Sequence, residues 1–128
     1  MLIRAERTDH VAQEYGGSFR RLYPWARVVT PPWGAAMMSL DPGGVSIPHD
    51  HDEEETFIFI SGEGTITVDK EESVVSKGDV VYLPRFSRHS VKNTSGTEVL
   101  EFLCIWWGAP SGEELPTKDA DAPFASSY

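Results

Sequence analysis

Three histidines and a run of carboxylates carry most of the chemistry this sequence could perform. His49 and His51 stand one residue apart in PHDHDEEET and are followed by Asp52, Glu53, Glu54 and Glu55. On an extended backbone, residues i and i+2 point to the same side, so both imidazoles can reach one metal ion while Asp50 points away. Glu55 shares their odd-number parity and opens the apolar run Thr56 to Ile60, which reads as the next strand of a hairpin. Its carboxylate could therefore close a third coordination position. Parity need not survive a turn, which leaves Glu53 and Glu54 as rival ligands. Further along, Gly78 to His89 (GDVVYLPRFSRH) reads as a turn, a strand and a Pro-containing corner that ends on another histidine. His89 brings the set to three imidazoles and one carboxylate.

That donor set bounds the mechanism. Neutral imidazoles and a single carboxylate leave a divalent ion with residual positive charge and, at high coordination number, open positions for substrate or water. Such an ion can polarise a carbonyl or carboxylate oxygen, lower the pKa of bound water or, as Fe(II), bind dioxygen. Fe, Mn, Zn, Ni, Co and Cu suit His/Glu donors about equally by softness, so the sequence fixes a site without fixing its metal.

The two stretches together resemble the cupin family. The first matches the motif G(X)5HXH(X)3-4E(X)6G through Gly43, His49, His51, Glu55 and Gly62, with every interval in register. The second matches G(X)5PXG(X)2H(X)3N through Gly78, Pro84, His89 and Asn93. Phe86 departs from the pattern, standing where the family usually has glycine, and a non-glycine residue there would be strained at positive φ. Fifteen residues, Glu63 to Lys77, separate the motifs, a short spacing typical of small microbial single-domain members. The resemblance implies an all-β fold, a double-stranded antiparallel β-helix or jelly-roll barrel in one domain. It also implies one divalent metal held by His49, His51, Glu55 and His89, and a homodimer.

Composition agrees with one compact domain. At 128 residues the chain can bury one core. A 40% apolar fraction with 11% aromatics argues against disorder. The net charge of −9, from 20 acidic and 11 basic residues, argues against a nucleic-acid partner, since a phosphate backbone needs a basic face. Charge is uneven: residues 1 to 30 hold five arginines against three acids. No apolar run approaches the roughly 20 residues of a spanning helix. MLIRAERTDH has no export signal, and Cys104 has no disulfide partner in the chain, so the expected location is cytoplasmic, with no membrane contact.

The elements that must position the site are short strands at intervals of about ten residues, separated by Gly or Pro, which indicate an antiparallel sandwich or barrel. Strands are expected at Trp33 to Leu40, Thr56 to Ile60, Thr65 to Asp69, Ser73 to Ser76, Val80 to Leu83, His89 to Asn93 and Thr97 to Trp107. The expected divisions are an N-terminal segment, 1–32, packing on the barrel or a partner subunit; the barrel, 33–108; and a Pro/Ser/Ala-rich tail, 109–128, loosely packed or disordered. The last strand, TEVLEFLCIWW, is apolar on nearly both faces after Glu101 and so must be covered twice, with a second subunit as the natural cover.

Each of these residues also has a bland alternative. Glu55 could be an exposed strand-end carboxylate, and Asp50, Asp52, Glu53 and Glu54 a solvated loop. Phe57 and Phe59 share Glu55's parity and are expected to line the cavity, as are Met37, Phe86 and Trp106, although plain core packing would place them similarly. Glu53, Glu54 and Tyr82 are the candidate catalytic acid–base groups. Cys104 alternates with Phe102 and Trp106 and reads as a core thiol. An aromatic-walled metal pocket suits a small organic acid or a keto, enol or phenolic compound. The leading reading is a metal-dependent enzyme, of isomerase, cyclase, lyase or dioxygenase type. A second is a cupin module assisting nitrogen–nitrogen bond formation beside a synthetase-like partner, suggested by a resemblance of the acidic run, the PRFSRHSVKNT corner and FLCIWWG. A third is a non-catalytic sensor of a small ligand or metal.

Overall fold

Two glycines of the motifs show how the chain reverses between strands. Gly62 (φ 90°) and Gly78 (φ 94°) both take left-handed conformations, and at Gly62 a Cβ would also meet the carbonyl oxygen of Val99 at 2.6 Å. The tight reversals they permit carry the chain from one sheet to the other, Gly62 on the way into the smaller sheet and Gly78 on the way back. A computed structural model describes residues 1–108, and the expected tail at 109–128 lies outside the described residues.

Among the described residues the chain forms nine strands: β1 (Ala12–Glu14), β2 (Gly17–Tyr23), β3 (Trp33–Leu40), β4 (Glu54–Ser61), β5 (Glu63–Val68), β6 (Glu71–Ser76), β7 (Val80–Leu83), β8 (His89–Asn93) and β9 (Leu100–Trp107). One 3-10 turn, Glu6–Thr8, precedes them. A six-stranded sheet runs β1-β2-β3-β9-β4-β7 and a three-stranded sheet runs β6-β5-β8, with every pairing antiparallel. The fold is the expected all-β barrel.

Alternation builds the core. On β9, Leu100, Phe102, Cys104 and Trp106 are buried, and their partners on β3 are Leu40, Met38, Ala36 and Gly34. Phe59 and Phe57 of β4 face Phe102 and Cys104 in turn. The rings of Phe57, Phe59 and Phe102 pack with centroids 4.9 to 6.5 Å apart, the spacing of favourable aromatic pairs. Cys104 is a buried core thiol, as its alternation implies.

The expected strands at Trp33–Leu40, Val80–Leu83 and His89–Asn93 match those observed. The last strand is shorter than expected, beginning at Leu100, because Asn93 holds the preceding loop: its Nδ2 donates to the carbonyls of Leu40 and Glu98, at 3.0 and 2.7 Å, and its Oδ1 accepts from Ser95 N. The N-terminal segment does more than pack on the barrel, since β2 pairs with β3 of the same chain and extends its sheet.

Candidate metal centre

His49 and His89 lie side by side because backbone pairing forces them to. His49 N donates to His89 O at 3.2 Å, and His89 N donates to His49 O at 3.0 Å. The same loop is stitched on by Ser46 N to Val91 O (2.8 Å), Ile47 N to Tyr15 O (2.9 Å) and Phe86 N to His51 O (2.9 Å). The last of these ties the corner of the second motif to the histidine segment of the first, so the two motifs form one structural unit.

The three imidazoles converge. His49, His51 and His89 each offer a ligand nitrogen, and these atoms all lie within 4.8 Å of one another. The Nδ1 of His49 lies 2.8 Å from the carbonyl of Ile47, and that of His89 lies 3.1 Å from the carbonyl of Ser87. A carbonyl only accepts, so in both rings Nδ1 carries the proton and the Nε2 lone pair is left for a metal, the usual second-layer arrangement around a metal-binding histidine. Glu55, with 0% of its surface exposed, places Oε1 3.1 Å from His51 Nε2 and 3.4 Å from His89 Nε2. Of its rivals, Glu54 faces outward, as strand alternation requires, whereas Glu53, just before β4, approaches the other side of the His51 ring, Oε1 lying 3.8 Å from Nδ1.

Electrostatics keep the imidazoles neutral. Burial lowers the pKa of all three, that of His89 to about 3, with the neighbouring His49 as the next contribution. Neutral imidazole is the metal-binding form. The donor nitrogens thus converge beside a buried carboxylate, with the rings of His49 and His89 oriented through Nδ1, and this geometry fits a metal ion.

Other expected site residues are distributed by strand parity. Phe57 lies beneath the histidines, its ring 5.7 Å from that of His89, whereas Phe59 sits deeper against Phe102 in the core. Trp106 faces inward opposite Glu55, with its indole over Gly34, where a Cβ would approach to 2.3 Å. Met37 does not line the cavity: it stands on the outer face of β3 between Ala36 and Met38, which are the inward pair. Tyr82 and Glu54 are likewise outside the barrel. Tyr82 is 56% exposed, stacks on Trp107 and donates a hydrogen bond to Glu54. That bond, followed by contacts with Arg85, lowers the pKa of Glu54 and makes it an ionised anchor instead of a proton carrier. Phe86 takes the left-handed conformation expected of glycine, φ 66°, and its ring is 62% exposed at the rim, not on a cavity wall.

Glu53 remains buried beside the metal ligands, and burial, reinforced by Glu55 and Asp52 against the opposing His51, pushes its pKa up to about 7. Two contributors escaped sequence reasoning. Arg85 bonds to Asp52, Glu54 and the carbonyl of Gly108 (2.7 Å), clamping the ligand loop to the corner. Tyr15 stacks its ring on His49 at 5.6 Å. The short-range pattern YGG around Tyr15 carries no sign of this contact, which arises only when the turn after β1 meets the histidine loop.

The fold and site together are those of a jelly-roll barrel with three histidines positioned to hold a metal ion. The Cupin domain family pattern matches residues 36–106, more than half the chain, and the protein belongs to the cupin family. A Cupin 2 conserved barrel domain protein from Salinispora arenicola is 33% identical with a TM-score of 0.75, covering 85% of this chain and 90% of that one. A Photorhabdus luminescens protein is 35% identical with a TM-score of 0.77, covering 85% and 89%. An oxalate-binding protein of Thermotoga maritima is 34% identical over 71 residues, 55% of this chain and 58% of that protein. The chain thus spans less than two thirds of this curated relative. No helix among the described residues is long and apolar enough to cross a membrane.

Proposed function

We propose that this cupin is a metal-dependent enzyme acting on a small organic acid, with His49, His51, His89 and Glu55 as ligands of one divalent ion. The observation that carries the reading is the convergence of three buried imidazole nitrogens beside the fully buried Glu55 carboxylate. A bound divalent ion of the Fe, Mn, Zn, Ni, Co or Cu series would supply a Lewis acid for a substrate oxygen. The chain's own residues do the rest. Phe57 and Trp106 provide an apolar wall that excludes water. Glu53, buried against the His51 ring, is the group placed to hold or release a proton, taking the role that sequence alone shared among Glu53, Glu54 and Tyr82.

Likeness to an oxalate-binding protein favours one second reading, a binding protein that holds a small carboxylate without converting it. Metal-reconstituted protein offered small 2-oxo and dicarboxylic acids separates the two. The enzyme reading expects product that vanishes in His89→Ala. Ligand-dependent thermal stabilisation with no product in any reconstituted form would overturn it and favour the binder.

We also infer a homodimer covering the outer face of the larger sheet. Trp33, Val80, Tyr82 and Trp107 are exposed there, beside the half-buried Met37, Ile58, Leu103 and Ile105. An apolar face of that breadth is unusual on a monomer. Light scattering should give twice the chain mass for the parent and the chain mass for Trp107→Glu. A monomeric parent at micromolar concentration would contradict the inference.

A further inference from the structure

The inner face of the larger sheet is apolar along β3, β9 and the body of β4, with one departure on β2. Arg21 pairs with Ala36, which pairs with Cys104, which pairs with Phe57, so all four belong to one inward-facing row. Phe19, two residues earlier, is a buried core residue, and its parity confirms that Arg21 faces the same side. The Nε of Arg21 is screened from solvent. The next row along the sheet is Gly34, Trp106 and Glu55, so Arg21 stands near the level of the metal-ligand carboxylate, on the wall formed by β2.

Phe19 and Arg21 line a cavity of about 400 Å³ that they share with the Arg4–Asp9 ion pair, His10 and Glu14. Tyr15 separates it from the metal centre: its ring meets Phe19 edge-on at 5.2 Å and stacks on His49 at 5.6 Å. The neighbouring Arg20 faces the other way, pairing with Met37 and bonding to Asp9, which also receives Arg4. Adjacent arginines of β2 thus face opposite sides of the sheet, with Arg21 on the side of Ala36 and Phe19.

A guanidinium is a planar fork that matches a carboxylate in two hydrogen bonds. We propose that Arg21 is the substrate-binding residue that sets specificity for a carboxylate, holding the carboxyl end of a small organic acid whose other oxygen donor reaches the histidine cluster past Tyr15. The inference rests on the metal-dependent reading above and names the substrate class for it: a dicarboxylate or an oxo or hydroxy acid, with neutral analogues excluded.

The test is calorimetric titration of manganese-loaded protein with two dicarboxylates of different length, oxalate and 2-oxoglutarate, and with neutral oxamide as control. Metal content is measured on the same samples. Parent protein should bind at least one dicarboxylate and not oxamide. Arg21→Met should weaken that binding by roughly tenfold to a hundredfold, the worth of hydrogen bonds to a charged group, with metal content unchanged. Arg20→Met should match the parent. Arg21→Lys, which keeps the charge and loses the fork, should fall between parent and Met variant, and it decides the matter if the Met variant fails to fold. Parental affinity in a folded Arg21→Met, or in Arg21→Lys when that form must decide, overturns the proposal and leaves the metal reading standing. So does a metal-loaded parent that binds neither dicarboxylate. A parent that takes up no manganese overturns the metal reading and this inference together.

Discussion

Two walls of this barrel meet at the histidine cluster, and they are built by different means. One comprises the ligand loop, β4, the corner before β8 and β8 itself; every group on it that meets the cluster comes from one of the two motifs. The other comprises the turn after β1 and the inner face of β2, which bring Tyr15 and Arg21. The ligand wall is specified by short spacings: HxH sets two imidazoles on one side, parity sets Glu55, and the tight corner returns the chain so that His89 pairs with His49. The opposite wall is specified by long-range pairing of β2 with β3, which no local pattern announces. Chemistry written in spacing can be read directly, whereas chemistry written in strand pairing must wait for the fold.

This contrast can be pressed experimentally. The largest stability effect is expected on the ligand wall, where Phe57 supports the cluster from below. Phe57→Ala should cost about 3–5 kcal/mol in denaturant unfolding, as buried Phe truncations do, whereas Arg21→Met on the other wall should change stability by less than about 1 kcal/mol while altering anion binding. Similar losses at both positions would erase the distinction between a wall that holds the fold and one that selects the ligand.

Acid should act chiefly through the ligand wall. His89 has a folded-state pKa of about 3 against an ordinary 6.5, so the unfolded chain binds more protons between those values. Its stabilising contribution is fully present above pH 6.5 and is lost as pH falls toward 3, with His49 and His51 acting in the same direction. Glu53, raised to about 7, acts oppositely, its contribution being lost as pH rises through 7. Between pH 5 and pH 7 the opposing effects of His89 and Glu53 nearly cancel, so His49 and His51 decide the sign, and metal-free protein should melt at lower temperature at pH 5 than at pH 7. An equal or higher melting temperature at pH 5 would mean that the imidazoles are not held neutral by burial.

The smallest effect is expected at the rim. Phe86 occupies a left-handed conformation without a buried ring to offset the strain, so Phe86→Gly should stabilise the protein by about 1 kcal/mol in urea unfolding. A loss instead would show that the exposed ring makes a contact of its own.

Much of the ligand wall was legible because its rules are local. Val80–Leu83 and His89–Asn93 follow from alternation bounded by Gly, Pro and Asn, and the expected strain at Phe86 follows from the glycine usual at that place. Met37 was misassigned for an equally physical reason. In a run as apolar as Trp33 to Leu40, periodicity does not say which face is inward, and only the pairing of Met38 with Phe102 settles it. Tyr82 misled similarly, since β7 pairs with β4 only along one edge and its phenol turns out to Glu54. Tyr15 and Arg21 were not legible at all. Their partners, His49 and the row of Ala36, Cys104 and Phe57, are distant in sequence, and their own neighbourhood is a mixed-polarity segment without clear period.

The most direct test of the metal centre is elemental analysis of protein purified without a metal-binding tag, alongside His51→Ala and Glu55→Ala. The account predicts a near-stoichiometric divalent transition metal in the parent, or after reconstitution, and its loss in both variants while circular dichroism retains the β signature. A parent that holds no metal even after reconstitution, or variants that hold as much as the parent, would contradict it.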